Sequence, residues 1–436
     1  MRRRGSLLVT AGVCLASALA LATTGAASQQ APAAKSTTAT HHAVPAKSTT
    51  TATHHATPTT AHKTPQAKVR SGSSQHSHRA ATAKPRTTTT AVRHGKAGVS
   101  LKLPSRRRPV ERFYTSSFSG NLAIGDVTAG EDPVVRAAAI EALGNMNGTA
   151  LAIDPDTGRI LAMVNQKLAL SSGAEPCSTI KLSVALAALE EGLVKRDTPV
   201  SLSAHYKVDL TYALAKSINP YFEVLGRMLG FERVKHYANE FGLGELAGYN
   251  IKGEQLGVYP DTELPEKLGG VGRMCSFGEG ISMTPLQLGA LVGAIANGGT
   301  LYYMQHPETE EQAKNFVPKV KRTLNIAPIL PEIIPGMEGA VEERYGTAHS
   351  LLTNFNAFPV MGKTGTCSNN GTRFGWFGSY AETPTGKIVT VVFIEGGKPT
   401  FGPKAAEMTG EFYQALWDKS YFQPKAPAGP NSNGGQ

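Results

Sequence analysis

The chain has 436 residues, with 44 Lys and Arg against 33 Asp and Glu and a formal charge of +11. Seventeen of the basic residues and no acidic residue precede Glu111, so residues 1–110 carry +17 and the rest −6. The basicity therefore belongs to the N-terminal segment and gives no support to a nucleic-acid site in the folded part, where no nucleic-acid partner is expected; about 320 residues remain for a large core.

Arg2, Arg3 and Arg4 precede an apolar run from Leu7 to Ala22, which ends in small residues at Gly25, Ala26 and Ala27. Residues 1–27 thus have the layout of a cleaved signal peptide. The alternative is an uncleaved membrane anchor, although the run falls short of the ~20 residues that a spanning helix needs. Val13 before Cys14 argues against a lipidated cysteine. Residues 28–110 form a basic linker rich in Ala, Thr, Ser, His and Pro, with a repeat, AKSTTATHHAVP from Ala34 and AKSTTTATHHATP from Ala46. With almost no large apolar side chains, this linker is expected to be disordered. The pairs His41/His42 and His54/His55 have no Cys or carboxylate beside them, so they read as spacer rather than metal ligands; the stretch as a whole suits a tether drawn to anionic lipid or wall polymer. A folded domain is expected over 111–425 and a disordered tail over 426–436.

Within that domain, Pro133 to Leu143 reads as a helix stopped by Gly144. TALAID (Thr149 to Asp154) and RILAMV (Arg159 to Val164), joined by Pro155-Asp156-Thr157-Gly158, read as a β-hairpin. The middle of the chain is mostly helical, as in TPLQLGALVGAIANGG, where Thr284 caps, Pro285 takes the first helical position and Gly298-Gly299 stops the helix. VMGKTGT, GWFGSYA and KIVTVVFIEGG supply three further strands, followed by a helix from about Lys404 to Trp417. Strands from both ends flanking central helices predict an α+β fold, a largely antiparallel sheet beside a helical region with an active site in the crevice between them.

Three short motifs carry chemistry. Ser178-Thr179-Ile180-Lys181 follows Pro176-Cys177, and positions i and i+3 of a helix face the same way, so Lys181 can reach the Ser178 hydroxyl. The following residues, Ile180 to Leu189, are apolar nearly all round; burial disfavours the ammonium and makes the lysine a usable base. Taken alone, Ser178 could equally be a helix cap. In Ser217-Ile218-Asn219 a second hydroxyl can relay a proton to a departing amine and an amide can hold the lysine, whereas the plain alternative is a polar turn in which Asn219-Pro220 ends a helix. Lys363-Thr364-Gly365-Thr366 lies on a strand: the lysine and two hydroxyls can bind a carboxylate, the glycine lets a ligand backbone approach, and the Thr366 N–H with that of Ser178 can point at an oxyanion. Nothing in this chemistry requires a metal or a cofactor, and none is expected.

Together the motifs resemble the signature of the penicillin-recognising serine enzymes. Whole blocks from Asn147 to Trp417, among them EPCSTIKLSVALAALEEG, ALAKSINPYFEVLGRMLG and VMGKTGT, resemble a penicillin-binding protein transpeptidase domain. That resemblance implies a five-stranded antiparallel sheet with a helical subdomain, and an exported enzyme of the periplasm or cell envelope. It implies a D,D-transpeptidase that cross-links peptidoglycan stem peptides through an acyl-enzyme on Ser178, with β-lactam antibiotics as covalent inhibitors. Two departures stand out: Cys177 where most transpeptidases have glycine, and Ile218 where class A β-lactamases usually have Asp. Residues 28–146 leave no room for a glycan-polymerising domain.

Alternatives within the superfamily are a D,D-carboxypeptidase and a serine β-lactamase; for the latter Glu254 lies at about the right separation after Asn219, but its context KGEQLG does not resemble the β-lactamase loop and the 146-residue gap from Ser217 to Lys363 is long for that class. Outside catalysis stands a penicillin sensor or an inactive scaffold. If the Ser178 and Thr366 N–H groups converge on one oxygen, Cys177 and Cys367, one step outward from each, fall within disulfide range. The same pair is associated with class A carbapenemases. A Cys177–Cys367 disulfide is therefore expected, with Cys275 left free.

Overall fold

A computed structural model describes residues 111–423. The expectations for the signal peptide or anchor, the linker with its histidine pairs, Cys14 and the C-terminal tail lie outside these residues. Helix α1 (Pro133–Leu143) is capped by Asp132, whose side chain accepts from the N–H groups of Val134 and Val135, and it ends at Gly144 with φ +54°. Strands β1 (Gly148–Ile153) and β2 (Ile160–Val164) form the expected hairpin.

The helical subdomain follows. It includes α2 (Lys181–Glu190), α3 (Leu210–Ala215), α4 (Asn219–Leu229), α5 (Gly270–Phe277), α6 (Pro285–Ala296) and α7 (Leu330–Glu342). At the start of α6 the Thr284 hydroxyl accepts from the Gln287 N–H at 3.1 Å, and the Gln287 side chain accepts from the Thr284 N–H at 2.9 Å. This reciprocal capping box fixes the expected N-terminus. The chain then returns through β3 (Val360–Asn369), β4 (Thr372–Thr383) and β5 (Gly386–Gly396) to the last helix, α8 (Gly402–Asp418).

The five strands make one antiparallel sheet in the order β2-β1-β5-β4-β3. The fold is mixed α+β, as the sequence predicts. One sheet face packs on α1 and α8, where Ala150, Ala152, Phe377, Val392 and Ile394 join Val135, Ala139 and Phe412 in one buried cluster. The other face packs on α6 and the helical subdomain through Leu151, Ile153, Trp376, Val391 and Phe393. Gly378 makes that second contact close, since a β-carbon there would fall 2.9 Å from the Leu288 side chain. Strand β3, which carries Lys363, is left at the edge of the sheet, facing the helical subdomain. Among the described residues no helix is long and apolar enough to cross a membrane.

Candidate active site

Ser178 lies in a 3-10 turn, Cys177–Ile180, that runs directly into α2. No side-chain cap bond is made at this turn, so the capping alternative for Ser178 falls. Its hydroxyl, partly exposed, instead accepts from Lys181 Nζ at 2.9 Å. Helix α2 is buried on every side from Lys181 to Leu189, which leaves the lysine no aqueous face. Its Nζ also donates to Asn219 Oδ1 at 2.6 Å, Ser217 Oγ at 3.0 Å and the Ser217 carbonyl at 3.1 Å. The Phe222 ring closes another side, with its centroid 5.4 Å from Nζ. Burial first, and then the positive charge of Lys363, hold the Lys181 ammonium well below its usual pKa, against a smaller upward pull from Glu223.

Ser217 and Ile218 form the joint between α3 and α4, and Asn219 starts α4 with Pro220 in its first turn. The expected alternative, a helix ending at Asn219-Pro220, is thus corrected: proline is at home at a helix start because its missing N–H has no partner there anyway. Ser217 takes φ +58°, a left-handed conformation uncommon for serine.

Strand β3 brings Lys363 to the same hydroxyl. Its Nζ, fully buried, donates to Ser217 Oγ at 2.9 Å and to the Thr364 carbonyl at 3.0 Å. Burial pushes its pKa down to about 7. Ser217 Oγ therefore stands between two lysines, one bonded to Ser178 and one on the edge strand. The Thr364 hydroxyl donates to Thr347 Oγ1 at 2.6 Å, and the Thr366 hydroxyl accepts from the Gly402 N–H at 2.8 Å, which leaves the Thr366 proton free to donate. Gly365 also has a neighbour within the chain. A β-carbon there would stand 2.8 Å from the Pro176 carbonyl, so the first neighbour this glycine admits is the residue that leads into the Ser178 turn.

Cys177 and Cys367 form the expected disulfide, Cα atoms 5.5 Å apart, and Cys275 is a free buried thiol. Cys177 has φ +51°, the left-handed region that favours glycine, which accounts for the glycine of the family pattern. The disulfide holds this conformation against a steric cost of about 1–2 kcal/mol. Trp376, packed against Phe393, donates from Nε1 to the Glu175 carbonyl at 3.0 Å and steadies the segment before the turn.

Glu254 takes no part in this cluster. Its carboxylate accepts from the Ala247 and Gly248 N–H groups at 2.9–3.0 Å, and no hydrogen bond among the described residues joins it to Ser178, Lys181 or Ser217. Sequence reasoning missed Thr347, Glu175 and Trp376. They act by touching the motifs from distant segments, and no local pattern marks them.

The family described as the penicillin binding protein transpeptidase domain matches residues 148–414, well over half of the chain. The chain belongs to that family. Among curated proteins it is 32% identical to Stage V sporulation protein D of Bacillus subtilis, over 50% of this chain and 39% of that protein. It is 23% identical to the peptidoglycan D,D-transpeptidase MrdA of Acinetobacter baumannii, over 75% of this chain and 60% of that one. The chain thus spans about two-fifths to three-fifths of the length of these relatives. Among solved structures, Pseudomonas aeruginosa PBP2 in complex with WCK 5153 superposes with a TM-score of 0.57 at 23% identity, covering 68% of this chain and 77% of that one. The transpeptidase domain of Burkholderia pseudomallei penicillin-binding protein 3 gives 0.57 at 20% identity, covering 69% and 98%. These likenesses establish the fold.

Proposed function

We propose that this chain is an exported D,D-transpeptidase that cross-links peptidoglycan stem peptides and is acylated by penicillins at Ser178. The observation that carries the reading is the buried Lys181 amine, 2.9 Å from the Ser178 hydroxyl and enclosed by oxygens of the second motif. A neutral amine has one lone pair and two N–H groups. In that form the lone pair faces the Ser178 hydroxyl proton, and the N–H groups are held by Asn219 Oδ1 and Ser217.

In the first half-reaction Ser178 Oγ attacks the carbonyl of the penultimate D-alanine and its proton passes to Lys181. The N–H groups of Ser178 and Thr366 receive the oxyanion charge. A proton then travels from Lys181 through Ser217 Oγ to the departing amine, the C–N bond breaks, and D-alanine leaves an ester on Ser178. In the second half-reaction an amine of a neighbouring stem peptide attacks that ester. Its proton returns to Ser178 as the Oγ–C bond breaks. Lys363 and the free hydroxyl proton of Thr366 hold the substrate carboxylate. The engagement of Glu254 with backbone N–H groups speaks against the β-lactamase reading that would use it to activate water.

The test is to incubate the purified chain with a fluorescent penicillin, map the adduct and follow its lifetime, then supply a donor peptide with an acceptor amine. A long-lived adduct on Ser178 and a product containing the acceptor are expected. Rapid penicillin hydrolysis, transfer to water alone, or no adduct would each overturn the transpeptidase reading.

A further inference from the structure

A second cleft, of about 670 Å³, is lined by Tyr249, Asn250, Gln305, Gln312, Asn315 and Phe316 among others, and none of its lining residues belongs to the three motifs. Its walls come from two stretches distant in the chain, 249–252 and 305–319, which meet where the Tyr249 N–H donates to the Met304 carbonyl at 2.8 Å. The volume falls within the roughly 300–1,000 Å³ of small-molecule sites.

Two aromatic rings line this space, and each has a cation beside it. The Tyr249 ring is held between Lys319, whose Nζ is 4.4 Å from its centre, and Tyr303, whose ring meets it edge-on at 5.7 Å, yet Tyr249 remains exposed. The half-buried Phe316 ring has the Arg159 guanidinium 5.9 Å from its centre. Rings fixed in this way lose little freedom when a ligand packs on them. Their faces carry negative charge density, which suits the C–H hydrogens on one side of a sugar ring.

The polar groups around the rings are mostly amides. Gln312 Oε1 accepts from the Glu308 N–H at 2.7 Å, which leaves the Gln312 NH2 group to donate. Gln305 Nε2 donates to the Val317 carbonyl at 3.2 Å, while its Oε1 is buried with no partner among the described residues. Arg159, paired with Gln305 in a parallel bridge, likewise has a buried Nε with no partner among them. An unsatisfied acceptor and an unsatisfied donor are both costly where they stand. A group that donates and accepts at once, a sugar hydroxyl or an acetamido group, answers both. The charges lining the cleft cancel, Lys252 and Lys319 against Glu308 and Glu311, so a polyanion finds no surplus of positive charge and a neutral ligand meets no net field.

We propose that this cleft binds the glycan strand that carries the stem peptides, with Tyr249 and Phe316 against the rings of N-acetylated amino sugars and the amides of Gln305, Gln312 and Asn315 at their hydroxyl and acetamido groups. The choice of an amino-sugar polymer rests on the peptidoglycan cross-linking reading. The chain itself ties the cleft to the reacting centre. From Tyr249 it runs to Val258, which exchanges backbone hydrogen bonds with Ser282 at 2.8 Å, and the next residue, Met283, pairs with Ala174 just ahead of the Ser178 turn. A strand resting in the cleft is thereby held on the same body that acylates its peptides.

The test titrates the full chain by calorimetry with the tetramer of N-acetylglucosamine and with the glucose tetramer, which lacks the acetamido groups. The amino-sugar tetramer should bind about fivefold more tightly or better. Its affinity should change by less than about twofold between about 0.05 and 0.5 M salt, and by less than about twofold when Ser178 has first been acylated with penicillin. Tyr249→Ala should weaken it about tenfold, whereas Tyr249→Phe, which keeps the ring, should stay within about threefold. Penicillin labelling of both variants should match the unaltered chain. No binding of the amino-sugar tetramer at about 5 mM, equal affinity for the two tetramers, or unchanged affinity in Tyr249→Ala overturns the proposal. So does binding lost on acylation, which would put the sugar in the catalytic crevice, or binding lost with salt, which would mark a charged ligand. If Tyr249→Ala does not fold, Gln312→Ala/Asn315→Ala, which alters two exposed side chains, decides: about fivefold weaker binding supports the site and unchanged binding overturns it. Sugar binding without penicillin labelling would sink the transpeptidase reading and leave the glycan site, and labelling without sugar binding would do the reverse.

Discussion

Helix α2 and strand β3 each deliver a fully buried lysine to the Ser217 hydroxyl, yet the two regions treat the same side chain differently. Lys181 grows from a helix that is apolar all round and has four oxygens near its amine; it is opposed by burial and by the other lysine's charge. Lys363 grows from an edge strand, has two oxygen partners, and is opposed by burial alone, so it titrates at about 7. Two ammonium groups on one hydroxyl repel each other, and losing one proton steadies the other. Environment rather than residue type thus sets the two amines apart; under the proposed reaction it divides the labour into a base beside Ser178 and a cation beside the substrate carboxylate.

Four predictions break or sharpen this division. Ser178→Ala should abolish penicillin labelling entirely, with a thermal midpoint close to wild type because the hydroxyl caps nothing; any residual adduct in the intact-mass spectrum would move the nucleophile elsewhere. Lys181→Ala should slow acylation by about a thousandfold or more, leaving only binding and the oxyanion donors. A loss under about tenfold in stopped-flow labelling would mean that another group takes the proton and that the two lysines are not distinct.

Lys363→Ala should cost about 10- to 100-fold in kcat/KM for carboxylate-bearing substrates and much less for the same substrates amidated. The pH dependence gives the sign. The Lys363 charge is present below about pH 7 and lost above it, so kcat/KM for carboxylate substrates should fall above about pH 7. Stability should move the other way. The unfolded lysine still binds a proton up to its ordinary pKa while the folded one does not, so the lysine's contribution to stability rises with pH from about 7 towards 10. Denaturant titrations of wild type and Lys363→Met across that range check it. The smallest effect on rate is expected from Cys177→Gly/Cys367→Ser, about tenfold or less in acylation; the loss of stability should be about 2–5 kcal/mol, because the bridge closes a loop of 190 residues.

Much of this was legible in the sequence where a single side chain decides a local outcome. Pro133 and Gly144 bounded α1, the turn at Pro155 to Gly158 fixed a hairpin, and Thr284 with Pro285 set the start of α6. The motif residues Ser178, Lys181, Ser217, Asn219 and Lys363 do meet, because their spacing already implied a helix, a joint and a strand. What was not legible depends on segments that meet only in three dimensions. Thr347 touches Thr364 from another loop, and the Glu175 carbonyl is held by Trp376 from the opposite end of the chain. Glu254 looked available as a base by its separation from the motifs, but local N–H groups of Ala247 and Gly248 already occupy it. That Gly365 also makes room for the Pro176 carbonyl before Ser178 was not legible either.

The sheet order has a consequence for the making of the protein. Strand β1 lies between β2 and β5, so Gly148 waits for Ile394, and Tyr421, near the end of the folded part, reaches back to Asp132 with an O–O distance of 3.0 Å. A chain that emerges from its N-terminus therefore displays Ser178 and Lys181 long before Lys363 exists to join them. Such long-range pairing is slow, and it leaves β1 with an open edge until β5 arrives. Under the proposed reaction the site stays incomplete until the last strands arrive, and a chain cut before Gly386 would hold every motif residue while lacking the strand that closes the sheet.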